Sequence, residues 1–398
     1  MSREQDTLYL QVNGKLYGGW KTMLVNASIE TISGDFDLGY FYSWDGQEVL
    51  PINDGDACEV RMGDDVVLTG YVDEATEDLG SDTHDLQVTG RDKTGDLVDC
   101  SAVHKPDQWS GQTLQAIAAI LCKPFGITVK AETDTGAAFP IVKVQPGETA
   151  FAVIERLCRM RAVLPVSDGK GGLLLTAAGK GGRAYSALIE GENIKHIRRV
   201  KNQQDRFSQY IVKGQQSGLA AVGGGNVEVI TADGAVTSRA AAPASGKATD
   251  AGITRYRPML VVAEGEVSGH SPQTRALWEA TVRAGRGLRV EVTVQGWRQG
   301  DGALWRPNLY VHVKSPKLAL EDTLLIASCA YGCNESGTIT TLSLARPDAF
   351  LQLPPAKTRA ANGLPPGTEI ITTAPSSPPP APEQHVQRRN RDERDWDD

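Results

Sequence analysis

Aromatic side chains are scarce, 6% of 398 residues, and this scarcity is the first constraint on function. Proteins that hold single-stranded nucleic acid stack bases on aromatic platforms, and few are supplied here. Histidine is also thin. His84, His104, His196, His270, His312 and His385 include no two at the spacing of a metalloprotease pair. The cysteines Cys58, Cys100, Cys122, Cys158, Cys329 and Cys333 mostly sit inside apolar patterns. Cys122 and Cys158 fall on helix faces and Cys58 on a strand, as expected of thiols kept reduced in a cytosolic folding compartment. Cys329 and Cys333 have C-x-x-x-C spacing with no partner pair nearby, so two buried or half-buried thiols fit better than a zinc site. No apolar run approaches the ~20 residues that cross a bilayer. The opening MSREQDTLYLQV lacks the apolar core of a signal peptide, which argues against export by that route.

What is present is unevenly distributed. Net charge is −8, yet residues 1–100 hold 21 Asp or Glu against 6 Lys or Arg, which is −15, leaving +7 for the remainder. An acidic first module does not suit binding to nucleic-acid phosphates. It suits solubility, a basic partner, or a channel wall to which DNA must not adhere. Hydrophobic content of 40% supports a packed core, and the length allows two to four domains. With 42 glycines and few long helical patterns, the balance leans toward strands and turns.

The first hundred residues read as successive strands. Leu8, Leu10 and Val12 alternate before Asn13-Gly14, a strong hairpin signal. Ile29, Ile32, Phe36 and Leu38 follow. Cys58, Val60 and Met62 alternate, Gly63-Asp64-Asp65 turns, and Val66, Leu68 and Val72 continue, with Leu86 and Val88 closing the series. Short strands separated by turns argue for an antiparallel barrel or sandwich. Ser110 then offers a cap for a helix whose face is Leu114, Ile117, Ala118 and Leu121. After a short strand at Ile127–Val129, Pro146-Gly147 introduces a second helix with Ala150, Ile154, Leu157 and Cys158 on one side. A hairpin follows, Val163–Val166 and Leu173–Thr176. Residues 103–182 therefore read as a small α/β module between β-rich regions.

Strand character returns at Ile194–Val200 and Tyr210–Lys213. Residues 215–250, rich in Gly, Ala and Ser, read as an exposed excursion or as weak strands around Val227–Ile230. Ser271-Pro272 starts a helix running to about Ala284, with Ala276, Leu277, Ala280 and Ala284 expected inside. Strands are expected at Leu288–Val294, Leu309–Val313, Thr323–Ala330 and Thr338–Leu344. Beyond Leu353 the chain is Pro-rich and then densely charged, a tail ordered only against a partner if at all.

Tests for chemistry fail one by one. Gly169-Lys170-Gly171-Gly172 and Gly179-Lys180-Gly181-Gly182 lack the Ser or Thr of a phosphate loop and open no helix, and Gly246-Lys247-Ala248 fails likewise. Glu192, Glu264 and Glu266 could be paired acids for sugar hydrolysis, but solvated charge is much commoner. His312, between Val311 and Val313, is expected to point into solvent. Val144–Thr149 is similar to the opening of a peptidoglycan-binding LysM module, but the second helix of such a module is absent. Glu148 and Thr149 are explained as first-turn helix residues. Trp297 and Trp305 flank Gly300-Asp301-Gly302, with Arg298 and Arg306 close by, which reads as two strands joined by a turn with indoles covering a barrel end. Val88–Cys100 (VTGRDKTGDLVDC) is a polar, charged corner. It reads as a strand ending at Gly90 and a corner held by Asp92, Thr94 and Asp96, with Arg91 and Asp92 serving that corner or an adjacent subunit.

In order along the chain, several segments resemble the baseplate hub proteins of contractile-tailed, Mu-like phages. They are VTGRDKTGDLVDCSA at 88–102, TLQAIAAILCKPFGITV at 113–129, QPGETAFAVIERLCRMRAVL at 145–164, RALWEATVRAGRGLRVEVTVQGWRQGDGALWRPNLYVHV at 275–313 and LARPDAF at 344–350. The resemblance implies an α+β, mainly β protein with two tube-protein-like antiparallel β-barrels and small α/β insertion domains. On that plan residues 1–102 form the first barrel, 103–182 the α/β insertion, 183–350 the second barrel with a helix-containing insertion, and 351–398 the tail. It further implies a structural, non-enzymatic homotrimer in the virion, assembled in the host cytoplasm, with no catalytic, cofactor or metal residues. The implied partners are the tail tube protein, the central spike protein, baseplate wedge proteins and the tape measure protein, with DNA passing through the lumen without specific binding. The alternatives are a peptidoglycan-binding or cell-wall-degrading tail protein, and the hub of a tailocin or type VI-like injection machine.

Overall fold

The computed structural model describes residues 7–41, 52–80, 84–214, 228–230, 236–238, 244–263, 272–334 and 337–352. Asn13 and Gly14 both take positive φ, 50° and 77°, as a two-residue hairpin requires. They join β1 (Leu8–Val12) to β2 (Lys15–Tyr17). Then come β3 (Thr22–Ser28), β4 (Asp35–Phe41), β5 (Ala57–Met62), β6 (Asp65–Leu79) and β7 (His84–Asp92). Of the period-2 apolar residues expected here, Leu8, Leu10, Val12, Phe36, Leu38, Cys58, Val60, Met62, Leu68, Val72, Leu86 and Val88 are buried in one core, whereas Val66 is half-buried beside a bulge and Ile29 and Ile32 lie between β3 and β4 and pack elsewhere. β7 runs two residues past the expected end at Gly90, because Gly90 and Asp92 still pair with Val72 and Gly70 of β6.

A second core begins at Leu97. It is built from α1 (Gly95–Asp99), β8 (Gln108–Gln112), α2 (Leu114–Cys122), β9 (Thr128–Ala131), β10 (Phe139–Lys143), α3 (Ala150–Arg161), β11 (Leu164–Ser167) and β12 (Gly172–Thr176). The faces read from the 3.6-residue period, Leu114–Ile117–Ala118–Leu121 and Ala150–Ile154–Leu157–Cys158, are the buried ones. The cap expected at Ser110 is instead Thr113, which accepts from Ala116 N at 3.2 Å. Ser110 lies in β8, paired with Ile141 of β10, and Gly111 turns the chain with φ 64° before the helix can start. Thr149 caps α3 in the same way, accepting from Ala152 N.

The chain then forms β13 (Leu188–Ile189), β14 (Ile194–Lys201), β15 (Gln209–Gly214), β16 (Glu228–Ile230), β17 (Val236–Ser238), β18 (Ala244–Thr249), β19 (Pro258–Ala263) and α4 (Pro272–Arg286). In the Gly-rich stretch β16 and β17 pair as a hairpin, and most of that stretch lies outside the described residues. α4 packs on the sheet β18-β15-β19, where Gly246 lets the strand backbone approach Pro272 so closely that a Cβ would sit 2.1 Å from its carbonyl carbon. The expected inner face of α4 is corrected. Ala276, Glu279, Val282 and Gly285 are buried and Leu277 is exposed. Glu279 can go inside because Arg275 and Arg283, one turn either side, both donate to its carboxylate, and Gly285 lies against the backbone of Ala349.

The last strands are β20 (Leu288–Gln295), β21 (Tyr310–Ser315), β22 (Leu320–Asn334) and β23 (Gly337–Ala345). The mainly β class with helical insertions is therefore what folds. The two β-rich regions meet in one 13-stranded sheet, with the order β14-β20-β23-β22-β3-β4-β7-β6-β5-β1-β2 and β21 and β13 branching from β22. The joint is the antiparallel pair β22–β3, from Ser328↔Ser28 to Cys333↔Met23. One apolar core runs across it, from Leu8 and Phe36 to Trp297 and Leu344. Among the described residues the path from β14 to β2 does not close.

Five strands of the first half, β3 to β7, are repeated in the second by β14 and β20 to β23. β5, β6 and β7 have 6, 15 and 9 residues, and so do β21, β22 and β23. Ala57↔Tyr71 corresponds to Tyr310↔Leu325, Glu74↔Thr89 to Ser328↔Ser343, and Leu79↔His84 to Cys333↔Thr338. The bulge between Val72 and Glu74 recurs between Ile326 and Ser328. Asp35↔Arg91 matches Arg289↔Ala345, and Asn26↔Asp35 matches Val200↔Arg289, so β4 corresponds to β20 and β3 to β14. Equivalent strands such as ACEVRM and YVHVKS share alternation but little identity.

Candidate interaction surfaces

The charged corner is a structural joint. Asp92 is buried, and its carboxylate accepts from Gly34 N at 2.9 Å, from Thr94 N at 2.8 Å and from the Thr94 hydroxyl. Burial pushes this carboxyl above the usual range, against those bonds. Asp96 acts through its backbone carbonyl, which accepts from Cys100 N. Arg91 donates to Asp73 at 2.8 Å and Asp99 at 2.7 Å, bracing β7 against α1. These pairs are about two-fifths exposed, so they orient the corner more than they stabilise it.

The Gly-Lys strings are turns. Gly169 and Gly171 take positive φ between β11 and β12, and Asp168 accepts from Lys170 N and Gly172 N at 2.8 Å each. Gly179 N donates to Asn308 at 2.7 Å. The β11–β12 turn also borders a cavity of about 330 Å³ between the two cores, with Val67, Asp92, Glu132, Asn308 and Tyr331 in its walls. Glu148 precedes the helix cap instead of lying in the first turn. It accepts from Gln145 N at 3.0 Å and from two nitrogens of Arg156 at 2.8 and 2.9 Å, and Arg156 holds its carboxyl below the usual range.

The segment between β20 and β21 is a loop with one bridge, Arg298↔Leu304, and not the expected pair of strands. Both indoles are buried in the common core. Trp297 Nε1 donates to Gly332 O at 3.0 Å, and the Tyr331 hydroxyl donates to Trp305 O. Arg298 reaches the other half, donating to Asp65 at 2.7 Å and to Met62 O at 2.9 Å.

His312 is exposed on β21, His104 stacks on Trp109 at 4.6 Å, and Glu192 is exposed in a turn. Cys329 is buried in β22, which pushes its thiol well up, while Cys333 is half-buried. Glu264, Glu266, His270, His385 and the 353–398 tail lie outside the described residues. Among the described residues no three His, Cys, Asp or Glu side chains are grouped to hold a metal ion, and no helix is long and apolar enough to cross a membrane.

Two strand edges are open among the described residues. β14 (IKHIRRVK) pairs only with β20 along one side. β6 pairs with β5 only as far as Tyr71, so Asp73–Leu79 has β7 on one side and no strand on the other. The first edge is basic and the second acidic, and both are largely exposed. Composition hinted at this through the acidic excess of residues 1–100, but which strands end a sheet was not legible.

Comparison with known proteins gives these surfaces a context. Residues 7–92 match the family described as Mu phage baseplate assembly protein GpP-like, N-terminal. Residues 94–177 match baseplate hub protein gp44-like, second domain, and residues 268–353 match Mu phage baseplate assembly protein GpP, fourth domain. The chain is 34% identical over 351 residues to the baseplate hub protein gp44 of Escherichia phage Mu, spanning 87% of this chain and 89% of that one. It belongs to the family of Mu-like phage baseplate hub proteins. The crystal structure of the prophage MuSo2 43 kDa tail protein from Shewanella oneidensis superposes on this hub with a TM-score of 0.76 at 35% identity, covering 87% of this chain and 100% of that one. A tail protein from Neisseria meningitidis MC58 superposes with a TM-score of 0.71 at 21% identity, covering 88% and 98%, a likeness of fold. The hub is thus a structural component of a phage tail.

Proposed function

We propose that this hub chain forms a homotrimeric ring at the centre of the baseplate, adapting a hexameric tail tube to a trimeric central spike. The carrying observation is the duplication of these five strands within one chain. Three copies bring six equivalent β halves, so one ring offers a near six-fold face and a true three-fold axis. The family matches at 7–92 and 94–177 are in keeping with a first β half followed by an α/β module, and a third match covers 268–353, within and just past the expected second β half at 183–350. DNA passes through the ring without specific binding, and the acidic excess of residues 1–100 serves a wall that does not hold phosphates. The tail tube, spike, wedge and tape measure proteins are the partners, and residues 351–398 reach one of them. The protein assembles in the host cytoplasm and stays in the virion as a structural part without a reaction.

Mass measurement in solution, followed by imaging of the assembled particle, tests this. A closed trimer seated between tube and spike is expected. A monomer up to high micromolar concentration that also fails to close on tube or spike protein would remove the ring. Clearing of peptidoglycan by the purified protein would count for a cell-wall enzyme instead.

A further inference from the structure

We propose that neighbouring copies of this chain join edge to edge, with the Asp73–Leu79 end of β6 in one copy pairing antiparallel with β14 of the next. The proposal rests on the ring reading for the existence of a neighbour, and on the duplication for its geometry. Inside the chain, β22 of the second half pairs with β3 of the first. β6 is the equivalent of β22, and β14 is the equivalent of β3. Among the described residues the first half therefore presents an open copy of the donor strand and the second half an open copy of the acceptor. Within one chain β14 ends the sheet path, and β6 lies six strands beyond β20, next to β5, near the other end. They can be used only between copies, and a head-to-tail contact of this kind closes into a ring or runs on as a filament.

The internal joint dictates the register. Transferring Ser328↔Ser28, Ala330↔Asn26, Tyr331↔Val25, Gly332↔Leu24 and Cys333↔Met23 through the equivalences above gives Glu74 opposite Asn202, Thr76 opposite Val200, Glu77 opposite Arg199, Asp78 opposite Arg198 and Leu79 opposite Ile197. This register follows from backbone equivalence alone, and it sets Glu77 against Arg199, Asp78 against Arg198 and the exposed Leu79 against Ile197, with Glu74 opposite Asn202 and Ala75 opposite Lys201. Opposite charges directly across a strand pair are favourable and like charges are not. In the free protein the same charges protect each edge, since acidic edges repel acidic edges and basic repel basic. Only the unlike pair attracts. At the internal joint the equivalent residues carry no charge, which fits a contact formed once during folding, where no wrong partner has to be refused.

The experiment uses full-length protein and its mass in solution. Asp78→Lys and Arg198→Glu, both exposed positions, are each expected to weaken self-association by at least about tenfold. The two together in one chain restore it. A second readout uses Thr76→Cys with Val200→Cys in a Cys100→Ser background. These positions face each other at disulfide distance, so mild oxidation should yield covalent dimers and trimers, and Asp37→Cys with Val200→Cys should not. A trimer indifferent to both reversals, or one that gives no covalent ladder, overturns the edge pairing while leaving the ring. A protein that stays monomeric even on its tube and spike partners overturns the ring as well.

Discussion

Arg298 and Asp65, in opposite halves of the chain, meet at 2.7 Å, and the same guanidinium donates to Met62 O at 2.9 Å. A loop of the second half is thereby fastened to the β5–β6 turn of the first. Arg298 is mostly buried and Asp65 partly exposed, so the contact lies between a surface ion pair and a core one.

Arg298→Ala is expected to destabilise the protein by about 2 kcal/mol, the usual worth of hydrogen bonds to a charged group. Arg298→Lys should recover little, because a single ammonium cannot serve carboxylate and carbonyl in the fork geometry. Urea midpoints at constant slope check both.

Glu279 sits inside α4 between Arg275 at 2.7 Å and Arg283 at 2.9 Å. Glu279→Ala leaves the Arg275 and Arg283 guanidiniums, beside Trp278 and Phe207, without their shared carboxylate and should cost about 2 kcal/mol, below the figure for fully buried pairs because both arginines remain partly in water. Thermal melts of the variant should show the loss, and Arg275→Ala should add little once Glu279 is gone.

Acid should act on two carboxyls with opposite sign. Arg156 lowers the Glu148 carboxyl in the folded state. Its contribution is present above the ordinary carboxylate range and is lost as pH falls through the lowered value. Glu148→Gln is therefore expected to be less stable than the wild type at pH 7 and equal to it at strongly acidic pH. Asp92 is raised by burial, so its contribution is complete below the ordinary range and is lost as pH rises through the raised value. Melting series of Glu148→Gln and of Asp92→Asn against the wild type across pH separate the two.

Gly90 has no room for a side chain. A Cβ there would lie 2.2 Å from Tyr71 O and 2.6 Å from the Phe36 ring. Gly90→Ala should cost more than ~3 kcal/mol, at the severe end for overpacking, because one obstacle is strand backbone that cannot rotate away. Phe36→Leu should not rescue it. Soluble yield and melting temperature report the outcome.

Local pattern alone determined much of this protein. The alternation of Leu8, Leu10 and Val12, the Asn13-Gly14 turn, the faces of α2 and α3 and the ordered segments of the hub family were all legible, because strand and helix periods and turn chemistry act over a few residues. Tertiary structure decided the rest. The pairing of Ser28 with Ser328, the burial of Glu279 in place of Leu277, the reach of Arg298 to Asp65 and the assignment of β6 and β14 as open edges all depend on residues far apart in the chain. Neither hydropathy nor spacing encodes which distant strand completes a sheet. That is settled by the packing of one shared core, and with it which edges are left for another molecule.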